Sequence, residues 1–338
     1  MTAEQPAAPA PTAPVTPPAP SRARQAVTAI ALVAVVAAAG FVLYRDRDQL
    51  ADAASLLSWW VIGLSAIPAA IGVALNGVSW VAVLHGLRVQ APTGAGLRVF
   101  CVTQLGKYLP GSVWPAVGQM SAGRRWNASP RTMLTANLFA LVIGLVSGLL
   151  VACVTLPWSG AAAFSRFWWL LIVAPVLLVL LVPRVLPAAL DKILALARRA
   201  PLGERVPVAA TARSSAWAVG AWLFFGIQTY LLCVAAGYDG PRTAIAALGA
   251  SAFAICVGVL AIPFPAGAGV RETAFVLALS ATVPSAVALV VAIAARLTLV
   301  VVDLGAAGVS AAWAKAVDRP PPAPSPPADA AAAEPRTG

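Results

Sequence analysis

The sequence predicts an all-α fold: a polytopic helical membrane protein with about six full spans and two re-entrant or broken hairpins arranged as an inverted repeat. Three observations carry that prediction. The 338 residues are 60% hydrophobic and only 10% charged, with a mean hydropathy of +0.85, a balance foreign to soluble domains. Apolar runs long enough to cross a bilayer, about 20 residues each, recur from about Gln25 to Ala314. These runs lack the apolar-out, polar-in alternation of a membrane barrel, and lipid tolerates no third architecture.

Taken in order, residues 1–21 are a Pro/Ala-rich tail with too little apolar content to order itself. Arg22 and Arg24 then precede the run Ala26 to Tyr44. Ala37-Ala38-Ala39 could mimic a signal-peptide cleavage site, but the run is long for that purpose and reads as a retained first span. Further spans are expected at roughly 56–84, 132–156, 167–183, 214–236 and 285–313. Two less regular apolar regions, about 97–120 and 243–283, lie between them. The membrane domain is expected to cover 22–316, and 317–338 repeats the Pro/Ala character of the start.

Loop charges orient the chain. Arg88 and Arg98 mark the 85–98 loop, Arg124, Arg125 and Arg131 the 121–131 loop, and six Lys/Arg against two acidic residues the 184–213 loop. The positive-inside rule makes these loops and both termini cytoplasmic in a bacterial plasma membrane, and the acidic 45–55 loop external. Region 97–120 must then enter and leave on the cytoplasmic face, and 243–283 on the external face. Hairpins opening to opposite sides in two halves are the topology of an inverted repeat, found in transporters with a binding site near the midplane. The net charge of +11 is accounted for by these loops, and no soluble module is present to carry a nucleic-acid role.

Each odd region contains a backbone break. In the first, Pro110-Gly111 ends a helix, since proline removes a hydrogen bond and disfavours helix at Leu109. Ser112 can cap a restart, with Pro115 tolerated in the first turn. In the second, Pro263, Pro265, Gly267 and Gly269 interrupt the chain before a helix with Arg271 and Glu272 in its first turn. Irregular backbone at membrane depth survives only when buried in protein or facing a watery cavity. Restarting helix ends offer amide donors to anions, and Lys107 and Arg271 add full positive charge. A single Pro-Gly kink usually serves packing. Two breaks in matching halves, each beside a basic residue, favour a polar cavity for a group such as phosphate.

Other polar residues carry smaller expectations. Arg296 and Asp303 are seven apart, two helical turns, and share a face directed to the bundle interior, where a salt bridge or a substrate contact is open to them. Asn76, Gln104, Gln119, Asn137 and Gln228 are read as interhelical hydrogen-bonders or cavity liners, the former being commoner. Cys101, Cys153, Cys233 and Cys256 fall in apolar segments without metal-ligand or CxxC spacing and are expected as buried small hydrophobes. Trp59-Trp60 and Trp168-Trp169 read as interfacial anchors. Asn127-Ala-Ser matches a glycosylation sequon but falls in an expected cytoplasmic loop, and His85 is expected at the cytoplasmic end of its span. Neither metal nor cofactor is expected. Glu272 stands without a second carboxylate or nucleophile for catalysis, so enzymatic activity is not expected, and no GxxxxGK[ST] motif supplies ATP.

The segments "GKYLPGSVW" (Gly106 to Trp114) and "PAGAGVRE" (Pro265 to Glu272) resemble the G-[KR]-[YF]-[LI]-P-G and P-G-G-x-G-x-R-E elements of lysylphosphatidylglycerol synthase membrane domains and the stand-alone flippase-like proteins related to them. Ala266-Gly267 replaces the paired glycines usual there. The resemblance spans about 26–314 and implies movement of a lipid with an anionic, zwitterionic or phosphate-linked headgroup between leaflets. It also implies that a soluble synthase domain is missing here. Relatives encoded beside or fused to glycosyltransferases imply an alternative, a lipid-presenting partner of a glycosyl- or acyltransferase. The residues expected to contact lipid are Lys107, Tyr108, Pro110, Gly111, Ser112, Trp114, Gly267, Gly269, Arg271, Glu272 and Arg296, with Glu272 orienting Arg271.

Overall fold

The computed structural model describes residues 58–108, 114–182, 184–196, 204–261 and 269–317. The two tails, the expected span 26–44, the 45–55 loop and the tips of both breaks lie outside them. Among the described residues all regular structure is helical: α1 Trp59–Gly86, α2 Thr93–Gln104, α3 Trp114–Gly123, α4 Pro130–Thr155, α5 Ala161–Phe167, α6 Leu170–Leu180, α7 Val185–Leu196, α8 Val208–Ala235, α9 Pro241–Leu260, α10 Val270–Leu279 and α11 Ser285–Val317. Five helices, α1, α4, α8, α9 and α11, are long and apolar enough to cross a membrane.

Small residues set the packing, as expected where no hydrophobic difference between lipid and protein drives helices together. A Cβ on Gly72 would come within 2.6 Å of the Phe225 ring and one on Gly86 within 2.5 Å of Ala210. These contacts make α1 and α8 a long antiparallel pair. Gly77 lies against Leu97 and Phe100, and Gly96 against Val81, so α2 also runs antiparallel to α1. The short turn after α8 sends α9 back beside it, parallel to α1. Gly148 on Cys256 and Gly249 on Leu156 then bring α4 antiparallel onto α9. Consequently α2 and α9 start from opposite ends of the bundle.

Loop chemistry is consistent at the end where α1 stops. Val89 N–H donates to Leu84 carbonyl and Arg88 N–H to His85 carbonyl, and the pattern recurs as Ala128 to Gly123 and Asn127 to Arg124. Both are Schellman turns, which place the residue after the cap in the left-handed region. Arg88 (φ 60°) and Asn127 (φ 51°) occupy those positions, whereas a third such turn uses Gly237 (φ 87°). Asparagine adopts that geometry readily, whereas arginine adopts it at a cost of about 1–2 kcal/mol. Arg88→Gly is therefore expected to stabilise the protein by about 1 kcal/mol, read as a raised thermal unfolding midpoint in detergent. The arginines of these turns gather at this basic end, where Arg88, Gln90, Arg125, Trp126 and Asn127 line a polar cavity of about 440 Å³.

Three features refine the expected layout. Within the expected span 167–183 the helix is α6, with 11 residues. It meets α5, which ends where that span begins, at 59°, and the two together are long and apolar enough for one bent span, with Arg166 at the bend donating to Leu277 carbonyl of α10 at 3.1 Å. The 184–213 loop contains α7, whose Leu186 and Leu190 are buried against α1, α2 and α4 residues. Its basic character concealed an amphipathic face. The second hairpin is unequal in its arms, since the 20-residue α9 is itself of spanning length while α10 has 10 residues. All four cysteines are free and buried, and Trp59, Trp60, Trp168 and Trp169 are exposed at helix ends, as anchors should be.

Candidate functional site

The first hairpin folds as its sequence dictates. After α2 the chain tightens into a 3-10 turn, Leu105–Tyr108, and α3 restarts at Trp114 with Pro115 in its first turn. The arms close on each other at Gly106, where a Cβ would stand 2.9 Å from the Pro115 backbone nitrogen, and at Gly118, 2.7 Å from Thr103. Gln119, buried, donates to the Thr103 hydroxyl at 3.2 Å. Small residues at these crossings let the arms approach closely enough for the hairpin to enter and leave from the basic end.

The second hairpin restarts at Gly269, whose φ of 82° requires glycine. Its N–H donates to Glu272 Oε2 at 2.7 Å, the reach-back half of a capping box. Arg271 is seated on α9, for a Cβ on Gly258 would meet the Arg271 Cβ at 3.0 Å.

The two hairpins meet on α11, which packs against α2, the Leu105–Tyr108 turn and α10. Asp303, 2% exposed and near the middle of α11, accepts from the Tyr108 hydroxyl at 2.6 Å and pairs with Lys107 Nζ at 2.6 Å. Lys107 also lies 5.3 Å from the Tyr108 ring centroid. Two turns earlier Arg296 pairs with the remaining oxygen of Glu272. Gln228 of α8 donates to Ala295 carbonyl at 3.0 Å, pinning α11 beside that pair. Arg271 is within electrostatic reach of Arg296, Glu272, Tyr108 and Asp303, yet forms no ion pair among the described residues.

Of the expected residues, Lys107, Tyr108, Arg271, Glu272 and Arg296 come together, and Gly269 and Trp114 stand at the helix starts beside them. Pro110, Gly111, Ser112 and Gly267 lie outside the described residues. Glu272 does not pair with Arg271 as expected. It is drawn to Arg296, leaving Arg271 against the backbone of α9. Lys107 is not a free charge either, since Asp303 neutralises it. Arg296 and Asp303 share a face as their spacing requires, but each pairs with a hairpin instead of with the other. Asp303 is the functional residue underweighted by sequence reasoning. Its signal was a carboxylate in the middle of an apolar span, which demands a buried partner. Gly258 carried no signal.

Among the described residues the cluster has three cations and two carboxylates, midway along a helix of spanning length, so it retains one positive charge. Chemically such a site can take an anion by exchange, a phosphate replacing Asp303 at Lys107 or Glu272 at Arg296 with charge-assisted hydrogen bonds. Among the described residues no group of three or more His, Cys, Asp or Glu is placed to hold a metal.

A family model described as lysylphosphatidylglycerol synthase TM region matches residues 27–307. No curated protein matches the chain.

Proposed function

We propose, for a chain that belongs to the lysylphosphatidylglycerol synthase transmembrane-region family, the function of a lipid translocase acting on an anionic, zwitterionic or phosphate-linked headgroup in a bacterial plasma membrane. The family makes it a multi-pass membrane protein of lipid handling. The finer reading rests on one observation: residues flanking the two breaks, Lys107 and Tyr108 on one side and Glu272 on the other, meet on the Arg296–Asp303 turns of α11, and the described charges leave a surplus cation. A headgroup phosphate would settle on Arg271 and draw Lys107 or Arg296 from its carboxylate. That gives the two differential contacts an alternating-access protein needs, with one half rocking against the other about a fixed site, as in inverted repeats. The basic end would face the cytoplasm.

The test uses purified protein in vesicles carrying a fluorescent phosphatidylglycerol, read by dithionite bleaching of the outer leaflet. The native chain is expected to expose inner-leaflet probe. Arg271→Ala lowers the rate at least about tenfold, the worth of one charge-assisted hydrogen bond, and Arg271→Lys restores part of it. Equal bleaching with and without protein, across several anionic lipids, would overturn the reading.

A further inference from the structure

We infer that the groove between α1, α2 and α11 is a lateral lipid seat, taking one acyl chain of an anionic phospholipid whose phosphate rests on Arg98. The groove has a volume of about 550 Å³, within the range of clefts that bury a drug-sized ligand. Ala66, Ala70 and Ala74, at four-residue spacing on one face of α1, form one wall, and Ala306 and Val309 of α11 form another. These short side chains leave the space that a long chain would fill, and apart from Ser310 and Arg98 the walls are apolar.

Arg98 breaks that pattern. It is half-buried and has no ion pair or hydrogen bond among the described residues. Its Nη1 lies 4.0 Å from where a Cβ on Gly94 would stand, so the guanidinium folds back along α2 toward the basic end. A half-buried guanidinium beside lipid calls for an anion at headgroup level. The other available occupant is residues 26–44 of this chain, but that run contains no acidic residue and brings nothing to Arg98. A phospholipid brings both an apolar chain and a phosphate.

The seat is separate from the central cluster but continuous with it. Val302, next to Asp303, also lines the groove, while Cys101, on the same α2 face as Arg98, lies near Ser310. Tyr108 is bonded to Asp303, so α2 and α11 run antiparallel here. Arg98 therefore stands roughly 15 Å along α2 from Tyr108. The groove leads from the basic end toward Lys107, Tyr108 and Asp303. Its role as an entry path rests on the translocase reading, whereas lipid binding in it does not.

The experiment is photolabelling of the full chain in vesicles with phosphatidylglycerol carrying a diazirine near the acyl terminus, adducts being mapped by peptide mass spectrometry. Adducts are expected on the peptides containing Ala66–Ala74 and Val302–Ser310. Arg98→Gln should reduce them roughly fivefold, about 1 kcal/mol of binding, and Ala70→Phe should fill the groove and do the same. If Ala70→Phe lowers thermal stability, Arg98→Gln alone decides. Arg271→Ala should abolish translocation while leaving these adducts in place, so a lipid seat without translocation remains recognisable. Adducts absent from both peptides, or unchanged in Arg98→Gln, overturn the proposal. So does a disulfide between Ala70→Cys and a cysteine placed in 26–44, which would show the chain's own segment filling the groove.

Discussion

Asp303→Ala is expected to abolish lipid translocation and to destabilise the protein by about 2–3 kcal/mol, below the roughly 3–5 kcal/mol of a fully buried broken ion pair because Lys107 keeps some solvent contact. Asp303 is almost fully buried and satisfies both Lys107 and the Tyr108 hydroxyl. Its removal strands a cation and a phenol at the tip of the first hairpin. Asp303→Asn should retain an acceptor for Tyr108 and recover part of the stability. The double variant Lys107→Met/Asp303→Leu separates fold from function: replacing both charges by apolar groups should restore stability, yet translocation should remain lost. Denaturation in mixed detergent gives the first quantity and dithionite bleaching the second. A double variant that transports at the native rate would show the pair to be structural only.

The second large effect is at Glu272. This carboxylate holds Arg296 with one oxygen and the Gly269 N–H with the other, so Glu272→Ala loses an ion pair and a helix cap together. A loss of about 3 kcal/mol is expected, most of it from the stranded arginine and the rest from the cap. Glu272→Gln keeps a carbonyl for Gly269 and forfeits the charge. It should therefore unfold later than Glu272→Ala. Translocation should be impaired alike in both if exchange at Arg296 is part of the cycle. Alanine and glutamine variants of identical stability would show that the Gly269 contact contributes nothing.

The breaks were legible because proline and glycine in an apolar run have few physical explanations at membrane depth. Lys107 and Arg271 were legible as charges where lipid forbids them. The partners were not, because pairing depends on which helix faces which tip, and spacing along one helix says only that Arg296 and Asp303 share a side. Glu272 precedes no obvious rival for Arg271 in the sequence, yet in three dimensions Arg296 is the nearer claimant. The α5–α6 bend lies beside Arg166, where the expected span began, so the short helix before it was not read as part of the span, and α7 was hidden behind the charges of its exposed face. The groove was invisible for a different reason: in so alanine-rich a chain, a stripe of Ala66, Ala70 and Ala74 offers no contrast until the neighbours on α2 and α11 are in place.

One unbroken helix, α11, carries the partners of both ion pairs, so the two pairs are mechanically joined. Under the proposed cycle, a phosphate that took Arg296 from Glu272 would act on the same helix that holds Asp303 against Lys107 two turns along. Reciprocity would then require the converse, and in that cycle release toward one leaflet would bias closure toward the other through the stiffness of a single rod.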